Sequence, residues 1–257
     1  MAWFPPLDLT QFFVFTLVLF RTAALVMTVP VLGGTGVPAQ ARVMLSMALA
    51  LLVTPSQLGH TPPMPSTLLG FVITLGCETL LGLVLGLGVM IILSGVQLAG
   101  QIISQLGGMS LAEVLNPDLD TDVPLLSQVL NMFALAIFVT IGGHRLVLGG
   151  LLDTFIAMPA GTGTPLASFS ETLVTLLAQS CELGIRIAAP CTVALLLANV
   201  VLGLITRTLP QLNVLSFGFG LGALVTFAAL SVSLATVAWI LQAEIDQAWE
   251  LIREMWS

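Results

Sequence analysis

From position 68 to position 100 the chain carries one charged residue, Glu78. A run this long and this apolar exceeds the roughly 20 residues needed to cross a bilayer. Water cannot solvate it, so it must fold where lipid or other apolar helices cover it. The rest of the chain obeys the same constraint. Only 7% of residues are charged and 57% are hydrophobic, whereas a soluble domain carries about 25% charged residues. Too few charges remain to build a water-facing surface, so an all-α integral membrane protein is expected.

Six apolar runs are candidate spans: about 9–29, 39–54, 68–100, 125–142, 171–206 and 214–241. Arg21 interrupts the first, and Pro55 is expected to stop the second. The fifth holds Glu182, Arg186 and Pro190. The N-terminal stretch MAWFPPLDLT has no positive segment ahead of the first run, so that run is expected to be retained rather than cleaved. Composition shifts most at MPAGTGTPLASFS, 158–170, where Gly, Pro, Thr and Ser cluster and a hinge or boundary is expected. Two long runs joined by a short turn follow it and read as a helical hairpin. The tail LQAEIDQAWELIREMW repeats Leu241, Ile245, Trp249, Ile252 and Trp256 at helical spacing, with acids opposite, and is therefore amphipathic.

Several function classes lose support at this point. Six basic residues, all arginine, stand against 13 acidic ones, so no basic patch for nucleic acid exists. Cys77, Cys181 and Cys191 lie in apolar runs and are expected to be small buried hydrophobes. His60 and His144 are far apart and in no metal-binding pattern. Asp118, Asp120 and Asp122 alternate as at the start of a calcium loop. Val123 and Val129, however, stand where such a loop needs Gly and Glu. Phosphate-loop, HExxH and GxSxG patterns are absent as well. No enzyme, cofactor or metal site is therefore expected.

Polar residues inside the apolar runs are the candidate sites. Arg21, Glu78, Glu182 and Arg186 each cost about 3 kcal/mol at a membrane centre, so each is expected to have a partner or face water. Glu182 and Arg186 are spaced to pair along one helix face. Gly82 and Gly86 form a small-xxx-small face, and Gly88, Gly95 and Gly100 continue the thinning of the run. The stretch GGMSLAEVLNPDLDTDVP, 107–124, is the most unusual interruption, holding Gly107, Gly108, Met109, Glu113, Asn116, Pro117 and Asp118. It reads as a solvated loop or as a segment in a water-filled lumen, since irregular backbone at membrane depth needs protein or water around it. In RTLPQLNVLSFGFGLG, 207–222, Pro210 ends the incoming helix. Gln211 and Asn213 can bond orphaned backbone groups there, and Arg207 suits the negative end of the helix dipole.

These residues also carry a family resemblance. Pro190, Asn199, Gly203, Arg207, Pro210, Gln211, Asn213 and Gly218 follow one another as in the C-terminal signature of the FliR family, the flagellar biosynthetic proteins also known as SctT in injectisomes. The N-terminal part agrees in order through Arg21, Pro30, Val37, Pro38, Arg42 and Pro55. Glu78, Gly82, Gly86, Gly95, Gln97 and Gly100 continue the match. It ends with the acidic loop, Gly143, His144, Phe155 and Pro159. Many relatives have Pro, and often Lys, where this chain has Gly220 and Gly222, so a basic contact is missing from the restart after the turn. PQLNVLSFGF leans to the flagellar system.

The resemblance implies long, broken apolar helices forming helical hairpins within a hetero-oligomeric export gate. Residues 1–165 would be FliP-like, with a plug loop near 107–124. Residues 166–257 would be a FliQ-like hairpin with the amphipathic tail. The implied partners are FliP-like and FliQ-like subunits, an FlhB-like export switch protein, unfolded export substrates and the membrane, with no nucleic acid. The implied place is the bacterial inner membrane, in the flagellar basal body, where the chain helps form and close an export pore. The turn residues Arg207, Pro210, Gln211 and Asn213 would then stand at the pore entrance. A small-solute transporter binding substrate at Glu78, Glu182 and Arg186 is the alternative; inverted repeats would favour it, and none is visible.

Overall fold

The computed structural model describes residues 9–34, 36–60, 62–108, 124–162, 169–208 and 214–254, and among these there are helices and no strands. The helices are α1 (Leu9–Thr28), α2 (Pro30–Gly33), α3 (Ala39–Gln57, continued by a 3-10 turn at Leu58–His60), α4 (Leu68–Leu106), α5 (Leu125–Thr140), α6 (Gly143–Ala157), α7 (Phe169–Thr208) and α8 (Val214–Glu254). By length and composition, α1, α3 with its 3-10 turn, α4 and residues 171–205 of α7 can each cross a membrane, and α5 with α6 makes a fifth span if counted together. The chain is an all-α integral membrane protein.

Residues 1–90, 142–176 and 247–257 form one compact unit; residues 91–141 and 177–246 form another. In the first unit α1 lies along α4. A Cβ on Gly82 would overlap the Arg21 carbonyl, and one on Gly86 would approach Thr28 Cβ at 2.5 Å. The small-residue face thus lets two backbones meet, which gives dispersion contacts that lipid would not replace. Val14, Leu17, Val18 and Leu25 of α1 are fully buried. Hydroxyls in α1 turn back on their own helix, with Thr16 Oγ1 donating to Phe12 O at 2.8 Å and Thr28 Oγ1 to Ala24 O at 2.6 Å. Such pairing is what permits a hydroxyl in an apolar helix.

Late in α8, the chain returns to this first unit. Trp249 sits on α6 where Gly150 leaves room: a Cβ on Gly150 would overlap its ring. Arg253 Nη2 adds an ion pair to Asp153 Oδ2 at 3.2 Å. Gly150→Val is expected to displace the indole and destabilise the unit by about 1–3 kcal/mol, the usual penalty for overpacking. A red shift and loss of polarisation in tryptophan emission would report it; an unchanged spectrum and stability would refute the contact.

The second unit is built around the remainder of α4, whose glycines are divided among its neighbours. A Cβ on Gly95 would meet the Ser180 carbonyl of α7, one on Gly100 would overlap Ser127 of α5, and one on Gly107 would meet Thr226 Oγ1 of α8 at 2.7 Å. Hydroxyls seal the same contacts. Ser180 Oγ donates to Ile91 O at 2.6 Å, and Ser127 Oγ donates to Gln97 O.

Several sequence expectations need correction. Pro55 does not stop the second run: α3 continues to Gln57. Proline removes one backbone hydrogen bond, a tolerable loss this near a helix end, and Gln57 anchors that end by side-chain bonds described below. Beyond the fourth run the chain continues as helix. Gly142, at φ 81°, breaks the helix and α6 starts immediately; glycine takes this left-handed backbone without steric penalty. Residues 241–254 of the amphipathic tail form the last turns of α8. Of the cysteines, Cys191 is buried, Cys77 is half-buried and Cys181 is exposed.

Candidate functional site

The first unit contains a fully buried ion pair. Arg21 lies on α1 and Glu78 on α4, one turn before Gly82, so the glycine contact that brings the helices together also brings the charges within reach. Arg21 Nε donates to Glu78 Oε2 at 2.6 Å, with side-chain exposures of 0% and 1%. Burying two such ions is tolerable only when most of their remaining bonding capacity is used; here Arg21 Nη2 alone of the guanidinium nitrogens has no hydrogen-bond partner among the described residues. Arg21 Nη1 donates to Met158 O at 3.0 Å and to Thr154 O at 3.2 Å. The guanidinium carbon lies 4.2 Å from the centroid of the Phe155 ring, a cation–π distance. Glu78 Oε1 accepts from the Gly161 backbone N–H at 2.7 Å.

These bonds converge on one short segment. Gln57, at the end of α3, donates from Nε2 to Phe155 O at 3.4 Å and accepts at Oε1 from Ala160 N–H at 3.2 Å. Arg21, Gln57 and Glu78 together therefore grip the backbone of residues 158–161 from three helices. This is the glycine- and threonine-rich stretch where the composition shifts. Gly161 has φ 84°, and a Cβ on it would come within 2.7 Å of Pro62 Cβ and Cγ. Gly161→Ala is expected to destabilise by about 1–3 kcal/mol through strain and clash. Thermal unfolding in detergent would measure it, and an unchanged midpoint would contradict the geometry.

Glu182 and Arg186 are not buried with the first pair. Both lie on α7 in the second unit, half-exposed, with Arg186 Nη2 at 2.5 Å from Glu182 Oε1. Arg186 Nη1 also reaches Glu244 Oε1 of α8 at 3.0 Å, and Glu244 is nearly buried. The cluster thus holds two carboxylates for one guanidinium. Glu244 was not singled out by the sequence, because nothing at a separation of 58 residues marks it as a partner.

Both stems of the 107–124 interruption are fixed within the second unit. Gly108, at φ 72°, ends α4 in the manner of a left-handed helix cap. Gly107 is pressed against Thr226, whose hydroxyl donates to Gly222 O at 2.7 Å. Asn199 of α7 donates to Leu106 O at 3.4 Å, meeting one of the carbonyls a helix end leaves unpaired. The chain re-enters at Pro124, and Ser127 ties the start of α5 to α4. Met109, Glu113, Asn116, Pro117 and Asp118 lie outside the described residues, as do Pro210, Gln211 and Asn213; Arg207 is exposed in the last turn of α7.

No group of three or more metal-ligating side chains occurs among the described residues. What the described geometry offers is structural: two ion clusters and a stem that holds an interruption between helices.

The chain is similar to known proteins along nearly its whole length. The family model for bacterial export proteins, family 1, matches residues 12–248. The flagellar biosynthetic protein FliR of Escherichia coli is 30% identical over 241 residues, covering 93% of this chain and 91% of the relative. FliR of Caulobacter vibrioides is 28% identical over 230 residues, covering 90% and 92%. FliR of Bacillus subtilis is 28% identical over 246 residues, covering 94% and 93%. A match that runs nearly end to end places the chain in the FliR family of bacterial export proteins.

Proposed function

We propose that this chain is a structural subunit of the flagellar protein export gate in the bacterial inner membrane, helping to form and close the pore through which unfolded substrates pass. End-to-end similarity to FliR proteins carries the reading. The apolar surface supports it. Leu52, Leu68, Ile156 and Trp239 are each more than three-quarters exposed, and a patch-rich surface of this kind marks a membrane or subunit contact. FliP-like and FliQ-like chains, with an FlhB-like switch protein, are the partners that would cover part of it. Residues 1–165 act as the FliP-like part and 166–257 as the FliQ-like hairpin.

In this account the segment 107–124 is the plug and the turn at Arg207, Pro210, Gln211 and Asn213 lines the entrance. The Arg21–Glu78 pair does no chemistry; it sets the position of residues 158–161, shortly before the boundary at 165. No step of catalysis is assigned to the chain. A strain lacking it should secrete no flagellar hook or filament protein while still synthesising them, and restoring the gene should restore export. Normal flagella in the deletion strain would overturn the reading.

A further inference from the structure

One surface is left unexplained by the export-gate reading, on which this inference rests. On α7, Glu182, Ile185, Ala189, Val193, Leu196 and Val200 recur at helical spacing and form one stripe, all exposed. Ile185, Val193, Leu196 and Val200 are each more than half exposed. The stripe is aliphatic except at Glu182. That carboxylate uses Oε1 for Arg186, and its other oxygen accepts no hydrogen bond among the described residues. Arg186 is itself shared with Glu244, so the cluster carries a net negative charge on an apolar face.

A half-exposed carboxylate with an idle oxygen is costly against hydrocarbon. An apolar stripe is equally out of place against water. An apolar helix that presents a cation opposite Glu182 satisfies both. We infer that this face of α7 docks a helix of a neighbouring gate subunit, with a Lys or Arg side chain of that helix against Glu182. The cation would complete the cluster as two acids with two bases. Ala189, on the same stripe, leaves room for close backbone approach.

The chain itself supplies a reporter, because Cys181 is exposed beside Glu182. The test uses the full chain produced with its FliP-like and FliQ-like subunits and purified in mild detergent. Cys181 should react with a maleimide at least about tenfold more slowly in the complex than in the chain alone, as burial in an interface core requires. E182Q removes the charge but leaves an oxygen for Arg186, whereas E182K sets a like charge against Arg186 and against a facing cation, so each variant's complex is scored relative to its own recovery as an isolated chain. E182K should therefore lower recovery of the complex about tenfold or more below E182Q, as expected when like charges are juxtaposed in an interface. Equal recovery of the two variants would overturn the proposal, as would a Cys181 equally reactive in both states. If the unaltered chain forms no complex with those subunits, the export-gate reading fails instead.

Discussion

Replacing Glu78 with alanine should destabilise the first compact unit by about 3–5 kcal/mol, the typical loss when one member of a buried ion pair is removed. Arg21 would then sit at 0% exposure without its carboxylate, and the Gly161 N–H would lose its acceptor. Arg21→Ala should cost a similar amount, since Glu78 would keep only one donor and Met158 and Thr154 would lose theirs. The double replacement Arg21→Met with Glu78→Met should be markedly less damaging than either single change. Two well-packed apolar side chains need no compensation, so the two effects are not additive. Denaturant midpoints in detergent of the parent, Arg21→Met, Glu78→Met and the double methionine variant close the cycle. A double variant as unstable as the sum of the singles would contradict the pair's described role.

Removing residues 109–123 should leave the gate assembled but leaky. Helix α4 ends at Gly108 and α5 begins after Pro124, and each stem is held by its own contacts, Gly107 on Thr226 and Ser127 on Gln97. The intervening segment can therefore be shortened without dismantling the unit, provided a short glycine-rich connection spans the gap. If the segment is the plug, resting cells carrying the deletion should depolarise and take up small ions several-fold faster than the parent. Unchanged conductance with an intact complex would remove the plug assignment.

The sequence announces the helices well and their partners poorly. Long apolar runs with few charges are best satisfied as helices, so α1, α4 and α7 are legible from the one-dimensional pattern. The Glu182–Arg186 pair is equally legible, because four residues is one helical turn. Arg21 and Glu78 can each be seen to need a partner, but their separation of 57 residues hides that each is the other's. Gly161 lies within a stretch visible only as a composition shift. Its role depends on φ and on Pro62, neither of which sequence displays. The break at Gly142 is hidden because apolarity continues through it into α6. Pro55 misleads in the opposite direction: a strong helix-stopping signal is overridden by the Gln57 anchor.

Purification of the chain with FliP-like and FliQ-like subunits, followed by native mass measurement and reconstitution into vesicles, tests the central claim most directly. The account predicts a defined complex containing this chain, closed to ions until residues 109–123 are removed. A chain that purifies alone as a monodisperse monomer, and by itself moves small solutes across the vesicle membrane, would contradict it.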